Sequence, residues 1–206
     1  NFDRIYDYLI LSKDEHDSHT FFSDIFKVPS GSNMVYDLKK NYFKIIRYYS
    51  IKIFSENKNL KLEKSYKGFK DLLYKSIKLR LRSDVEVGSC LSGGLDSSAI
   101  VSVVSSINKG ISSFNLKTFH AKFLKSPSTD ESDFVKMISS NLPIKSNIIE
   151  IDDNDIINLS DESIKIQEEP FLSPSVILQL IIMRESKKNN GKVLLDGQGG
   201  DEVLLG

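Results

Sequence analysis

The sequence predicts an α/β fold in which a parallel β-sheet is flanked by helices. Downstream of residue 65, short β-prone runs alternate with longer segments whose apolar residues recur at helical spacing. This alternation predicts right-handed crossovers and a sheet that is covered on both faces. In addition, glycine-rich segments follow two of the predicted strands, at 92–98 and 197–201. Because ligands of such sheets bind outside the carboxyl ends of the strands, these two segments predict where a site lies.

The first 53 residues differ from the remainder and predict a small β-rich unit. They are rich in aromatic residues and alternate around a Pro-Ser-Gly-Ser sequence at 29–32, a pattern typical of a β-hairpin that turns at that sequence. Segment 54–65 is polar and lacks periodicity, so it is the predicted linker. The α/β domain is then predicted to comprise residues 66–206.

Local patterns predict the elements of the α/β domain in order. Its first helix is indicated by apolar residues at helical spacing between Phe69 and Leu81, and each strand by a short β-prone run. The predicted strands are 85–91, 116–123, 147–151 and 192–196. The predicted helices are 66–83, 97–107, 131–142, 153–166 and 174–189.

The composition excludes several classes of protein. Lys plus Arg and Asp plus Glu both number 28, so the net charge of zero favours neither nucleic acids nor membranes as partners. No apolar run approaches the roughly 18 residues that a membrane span needs, and the first residues lack the pattern of a signal peptide. The single cysteine, Cys90, excludes an internal disulfide and is typical of a reducing compartment. Together these features predict a soluble, cytoplasmic protein.

The segment Ser-Gly-Gly-Leu-Asp-Ser-Ser at 92–98 has the chemistry of an anion site that also holds a cation. Its two glycines let backbone N–H groups approach a ligand closely, and the following helix adds the positive end of its dipole. Asp96 suits such a site only if a cation such as magnesium accompanies a polyphosphate. The hydroxyls that could donate to phosphate oxygens are those of Ser92, Ser97 and Ser98. The alternative is a glycine turn whose Ser and Asp side chains cap the next helix.

The second glycine-rich segment, Gly-Gln-Gly-Gly-Asp at 197–201, also combines glycines with nearby acids, Asp196 and Glu202. A parallel sheet could bring Asp201 opposite Asp96, which would provide two carboxylates for magnesium on a pyrophosphate group. The alternative is a solvated glycine turn after an edge strand.

The first segment resembles the pyrophosphate-binding loop of the PP-loop ATP pyrophosphatase families, whose fold is that of the adenine nucleotide alpha hydrolases. With the phrases "TFHAKF…STDESDFV" and "QEEPFLSPSVILQLIIMRE" and the second glycine-rich segment, the chain from about 67 to 206 resembles the synthetase domain of glutamine-hydrolysing asparagine synthetases. Residues 1–53 resemble the end of that family's N-terminal glutaminase (amidotransferase) domain, although "VPSGSN" departs from the usual Leu-Pro-Pro-Gly-His.

The resemblance implies an enzyme that uses ATP and magnesium to adenylate the side-chain carboxylate of aspartate. Pyrophosphate is released, and ammonia from glutamine then displaces AMP to give asparagine. The resemblance leaves the oligomeric state open, with a homodimer as the state considered. The implied magnesium residues are Asp96 and Asp201, which with Gln198 are the catalytic candidates. The implied nucleotide contacts are Cys90, Leu91, Ser92, Gly93, Gly94, Leu95, Asp96, Ser97, Ser98, Ala121, Asp196 and Gly197.

Three features depart from the family's pattern. Gln198 stands where many members have a glutamate associated with adenylate formation, and a glutamine cannot act as a general base. Residue 1 is Asn1, not the N-terminal cysteine of a glutaminase, and the family continues past the position of Gly206 to supply a lysine. These departures predict a fragment that is inactive by itself. They leave two alternatives: an amidotransferase or β-lactam-forming relative that acts on another carboxylate, or a pseudoenzyme that binds ATP without turnover.

Other polar residues have simpler interpretations. The segment Ser128–Glu131 fits a helix capping box. Glu168 and Glu169 could line an amino-acid pocket, but acids before a proline are common. The three histidines, His16, His19 and His120, lack metal-ligand spacing and are expected to be incidental. Cys90 is expected to be a small core residue and not a nucleophile.

Overall fold

Residues 1–14, 16–51, 61–111, 114–125 and 130–204 are described by a computed structural model. They form the helices α1 (Phe2–Leu11), α2 (Leu62–Arg80), α3 (Leu95–Ile107), α4 (Ser132–Asn141), α5 (Asp153–Gln167), α6 (Ser175–Lys188) and α7 (Gly200–Leu204). The strands are β1 (Ser32–Asp37), β2 (Tyr42–Arg47), β3 (Val87–Cys90), β4 (Leu116–Phe123), β5 (Ile144–Ile151) and β6 (Val193–Leu195). The chain divides into two units, Asn1–Leu60 with Ile164–Ser173, and Lys61–Ser163 with Pro174–Gly206.

The larger unit is built on a parallel sheet with the strand order β5-β4-β3-β6. From β3 the chain passes outward through β4 to β5, and it then returns to the other side of β3 as β6. The reversal makes β3 the switch point of the strand order, which is where open α/β sheets form their ligand crevice. The predicted parallel α/β sheet is therefore confirmed, and the segments that follow β3 and β6 emerge side by side.

Helices cover both faces of this sheet. Successive side chains of β4 point to opposite faces. On one face, Thr118 contacts the Ser146 hydroxyl, which in turn contacts Ser139 of α4. On the other face, Phe119 lies among residues of α6 around a cavity. The apolar core on the α4 face also includes α2 and α3, and its buried members are Ile77, Leu91, Val101, Val104, Leu116, Val135 and Leu195.

Most element bounds agree with the sequence to within a few residues, and the differences have local causes. The predicted strand at 116–123 coincides with β4. Strand β5 begins three residues early, at Ile144, because pairing with Leu116 extends it beyond its apolar run. Helix α2 begins at Leu62, inside the predicted linker, of which residues 54–60 lie outside the described part of the chain. The short helix α7 was not predicted, since it begins at Gly200 and directly follows Gly199.

The smaller unit contains a β-hairpin, but the prediction that it reverses at 29–32 is wrong, although residues 30–31 do form a turn. Strands β1 and β2 pair antiparallel from Ser32–Arg47 to Asp37–Tyr42, so the turn lies at 38–41. Asp37 closes this turn, because its carboxylate accepts the N–H groups of Lys39 and Lys40. The Pro-Ser-Gly-Ser segment instead precedes β1, where the Gly31 carbonyl accepts the N–H groups of residues 48 and 49.

Helix α1 and the segment 164–173 also belong to the smaller unit. The Asn1 side chain caps α1 by accepting the N–H of Arg4, a helix start that the sequence interpretation missed. The Tyr8 hydroxyl donates to the Phe171 carbonyl at 2.8 Å, which attaches the 164–173 segment to α1.

Among the described residues, no helix combines the length and apolar character that a membrane crossing requires.

Candidate functional site

The segment between β3 and α3 forms a tight loop at the switch point of the sheet. Gly93 has a φ of +96°, and a Cβ there would lie 2.9 Å from the Cβ of Glu131. A side chain at this position would therefore be both strained and crowded. Gly94 is the N-cap of α3 and has no side chain that could accept the first N–H groups of the helix, at the positive end of its dipole. This arrangement is typical of an anion site at a helix N-terminus.

Serine hydroxyls hold the loop in this shape. The Ser97 hydroxyl accepts the N–H of Ser92 at 3.2 Å and lies 2.9 Å from the Ser92 hydroxyl. The Ser98 hydroxyl donates to the Gly94 carbonyl at 2.6 Å. Because these hydroxyls bond to the loop itself, they pre-organise its backbone. Their direct donation to a phosphate remains a prediction.

The segment after β6 lies directly against this loop. A Cβ on Gly197 would be 3.2 Å from both the Cβ of Asp96 and the N–H nitrogen of Ser97. A Cβ on Gly200 would overlap the carboxylate of Asp96. Two glycines of the second segment thus make room for the aspartate of the first. The two segments meet around Asp96, as their positions after adjacent strands predict.

Together the two segments enclose a cavity of about 400 Å³, called here the loop cavity. Asp96 and Asp201 both line it, as do Asp196 and Gln198. Among the described residues, no group of three or more His, Cys, Asp and Glu side chains is arranged to hold a metal ion. The pair of aspartates still fits magnesium, because this ion is commonly bound through one or two carboxylates plus substrate phosphates.

A second cavity, of about 460 Å³, adjoins the loop cavity and is called here the α6 cavity. The two share the lining residues Cys90, Ser92, Asp196 and Gln198. The predicted contacts Leu91 and Ala121 line it, and α6 supplies most of the remaining wall. The α6 residues, which the sequence interpretation missed, are Ser175, Val176, Leu178, Gln179 and Ile182. Their signal was the three-residue spacing of positions 176, 179 and 182 within an apolar helix.

Cys90 has the environment of a core residue. It is almost fully buried at the end of β3. Burial, together with the negative charge of the adjacent Asp196, raises the pKa of the Cys90 thiol to about 12. The thiol is therefore protonated at neutral pH, and Cys90 is not a nucleophile.

His120 occupies a connected position that its spacing in the sequence did not indicate. It is buried on β4, with Nδ1 3.0 Å from the Leu91 carbonyl oxygen and Nε2 3.2 Å from the Ser132 hydroxyl. Burial lowers the pKa of its ring. His16 and His19 belong to the other unit, where they lie beside Arg4 and Asp17, and they line neither cavity.

Two weaker candidates have structural roles. Glu131 is the N-cap of α4 and not its third helical residue, so the predicted capping box from Ser128 does not describe this helix start; Ser128 itself is outside the described residues. Asp130 instead accepts the Ser132 N–H at 3.0 Å. Glu169 pairs with Lys27 at 3.0 Å and accepts the Phe21 N–H at 3.2 Å, so it holds the smaller unit together.

Comparison with known proteins decides the family. The family model described as asparagine synthase matches residues 68–206. The chain belongs to the asparagine synthase family.

Curated relatives extend this match over most of the chain. A Methanocaldococcus jannaschii protein, provisionally named asparagine synthetase (glutamine-hydrolyzing) 2, is 30% identical over 190 residues, which cover 91% of this chain and 35% of that protein. Asparagine synthetase (glutamine-hydrolyzing) 1 of Bacillus subtilis is 33% identical over 144 residues, 70% of this chain and 22% of that protein. Amidase chry2 of Gibberella zeae is 23% identical over 92% of this chain and 30% of its own length. The chain thus spans about a third or less of the length of these relatives.

Proposed function

We propose that the two cavities bind ATP with magnesium, and that the protein containing this chain is an ATP-dependent amide ligase that forms asparagine. In the proposed reaction the side-chain carboxylate of aspartate attacks the α-phosphorus of ATP, and pyrophosphate leaves. Ammonia derived from glutamine then attacks the acyl carbon, and AMP leaves. The observation that carries the proposal is the meeting of two glycine-rich loops around Asp96 at the switch point of a parallel sheet.

The loop cavity is the proposed place for the ATP phosphates. Its backbone supplies the uncapped N-terminus of α3, and Gly93 allows the preceding turn that no side chain would permit. Bound ATP would supply an activated phosphorus and a stable leaving group, while the loop would neutralise charge and orient it. Asp96 and Asp201 are the proposed magnesium residues, because both line this cavity and Gly200 leaves the Asp96 carboxylate uncovered by a side chain.

The α6 cavity is the proposed place for the adenine base. Its volume of about 460 Å³ lies within the range of about 300–1,000 Å³ common for small-ligand sites. Apolar side chains of Phe119, Val176 and Ile182 line it, which suits a flat heterocycle. Cys90 and Ala121, whose counterparts in the family contact the base according to the resemblance, line the same space, as does Leu91.

Gln198 lies where the two cavities meet, and it is the residue most relevant to which carboxylate substrate is activated. Its amide can hydrogen-bond to a carboxylate or a phosphate, but it cannot remove a proton. This residue and the similarity to an amidase support a second candidate, in which the same activation serves a carboxylate other than aspartate.

An ATP–pyrophosphate exchange assay on the full-length protein tests these proposals. Exchange that depends on L-aspartate supports asparagine formation, and exchange only with another carboxylate supports the second candidate. ATP binding without exchange under any condition would indicate a nucleotide-binding pseudoenzyme. Asp96→Ala should abolish exchange, whereas Asp37→Ala, in the hairpin turn of the smaller unit, should not. Exchange that survives Asp96→Ala would contradict the magnesium assignment.

A further inference from the structure

His120 lies between the two parts of the protein that support the glycine loop. The residue is 5% exposed, and its side chain projects from β4. One ring nitrogen reaches the carbonyl of Leu91, the residue immediately before the loop. The other reaches the hydroxyl of Ser132, the first residue of α4. A single buried ring therefore joins the exit of β3 to the start of α4.

The contact with Leu91 shows which ring nitrogen of His120 carries a proton. A carbonyl oxygen only accepts hydrogen bonds, so Nδ1 of His120 must carry the proton in this contact. The Leu91 N–H donates to the Phe119 carbonyl at 2.9 Å. Both backbone groups of Leu91 are thus bonded to β4, one through the backbone and one through His120. Without the ring, the buried Leu91 carbonyl would lose its partner at the point where the loop begins.

The contact with Ser132 secures the surface on which the loop rests. Gly93 packs so closely on Glu131, the residue before Ser132, that a Cβ would lie 3.0 Å from the Glu131 carbonyl oxygen. Ser132 in turn donates its N–H to Asp130, and its hydroxyl contacts both the Asp130 carboxylate and Nε2 of His120, which carries no proton in the neutral ring and accepts the Ser132 O–H. Displacement of Ser132 would therefore move the support of Gly93.

We propose that His120 is a positioning residue that holds the 92–94 loop in its ligand-binding shape by joining the Leu91 carbonyl to the start of α4. The effect on the loop is independent of the ligand, while its effect on ATP affinity rests on the function proposed above. His120 lines the α6 cavity proposed for the adenine base but not the loop cavity, so the order of the loop without nucleotide, and not ATP affinity alone, isolates its positioning effect. Its loss should therefore weaken ATP binding more than it lowers the turnover of bound ATP.

Three substitutions separate the two contacts. His120→Asn places an amide N–H near the position of Nδ1, so it can retain the bond to Leu91. His120→Gln places its amide near the position of Nε2, so it can retain the bond to Ser132. His120→Leu removes both, and His19→Asn, at an exposed histidine of the other unit, is the matched control. Amide hydrogen exchange of residues 91–95 in the full-length protein, without nucleotide, reports the order of the loop.

We expect His120→Gln, which loses the bond to Leu91, to raise amide exchange in this loop about tenfold, the equivalent of one lost buried hydrogen bond. His120→Leu, which loses both contacts, should raise it further, and ATP binding should weaken in the same order. His120→Asn should stay closer to the wild type than His120→Gln does in both measurements. The control His19→Asn should behave as the wild type does. Equal loop amide exchange in all variants would overturn the proposal, as would a wild-type rate of loop amide exchange in both His120→Asn and His120→Gln. If His120→Leu does not fold, the amide exchange of His120→Asn and His120→Gln tests the proposal. If the wild type binds no ATP, the proposed function fails, while the amide exchange of the loop still tests the positioning role of His120.

Discussion

Gly200 lies directly against the carboxylate of Asp96. A Cβ on Gly200 would be 2.6 Å from the Asp96 Cγ, which leaves no space for any side chain. The two residues are 104 positions apart and come from loops that follow different strands, β3 and β6. This contact makes the orientation of Asp96 depend on the second loop.

Gly200→Ala should therefore displace the Asp96 carboxylate. We expect ATP–pyrophosphate exchange to fall by up to about 100-fold, because a shift of roughly 1 Å in a positioned catalytic group can cost that much. The thermal unfolding temperature should change little, since this segment is at the edge of the core. Gly68→Ala is the matched control, because Gly68 is exposed in α2 and a Cβ there has nothing within 4 Å. It should stabilise the protein by about 0.5–1 kcal/mol and leave exchange intact. Undiminished exchange in Gly200→Ala would contradict the role of the second loop.

Gly93→Ala and Gly110→Ala should separate backbone strain from steric contact. Both glycines have nearly the same φ, +96° and +94°, but only Gly93 has close neighbours, whereas Gly110 has nothing within 4 Å of an added Cβ. Each substitution should lower the free energy of unfolding by about 1–2 kcal/mol through the positive φ. Gly93→Ala should also push the loop away from Glu131 and weaken ATP binding. Urea unfolding and ATP titration measure the two effects, and equal ATP affinity in both variants would contradict the packing of the loop on Glu131.

Cys90 should resist alkylation in the folded protein. With a pKa of about 12 against an ordinary value of 9.0, its thiolate fraction at about pH 8 is about 1,000-fold smaller than in the unfolded chain. Iodoacetamide labelling with and without denaturant, followed by mass spectrometry, measures this difference. Asp196→Asn should speed the labelling of the folded protein, because the negative charge of Asp196 helps to raise the pKa. Equal labelling of the folded and denatured protein would show that Cys90 is accessible.

His120 should make stability depend on pH below the ordinary histidine range. Burial holds the pKa of the folded ring below its ordinary value of 6.5, so the unfolded chain takes up the proton more readily. The stabilisation that the folded protein gains from the neutral ring is complete above pH 6.5. It is lost as the pH falls from 6.5 through the lower pKa of the folded state. Urea unfolding between about pH 5 and pH 8 should show a steeper acid loss in the wild type than in His120→Asn, which cannot titrate. Identical pH profiles for the two proteins would contradict this assignment.

The glycine loops were predictable because their chemistry is local. Two glycines between a strand and a helix, with Asp96 beside them, predict a tight loop with a carboxylate at the helix start whatever the rest of the chain does. The hairpin turn was not predictable in the same way. Pro29 and Gly31 are the usual turn residues, but the turn forms where Asp37 can accept two backbone N–H groups.

The role of His120 could not be derived from spacing, since its partners are 29 and 12 residues away and belong to different elements. The lining of the α6 cavity depends likewise on which face of β4 the helix covers.

The sequence by itself determined the alternation of strands and helices, the position of both glycine loops and the presence of a carboxylate in each, because these depend on neighbouring residues. Only the tertiary structure decided that Gly200 faces Asp96 and that His120 joins Leu91 to Ser132. Those contacts require β6 to return beside β3 and α4 to lie over β4, and strand order is set by the packing of the whole sheet, not by any one segment of the chain.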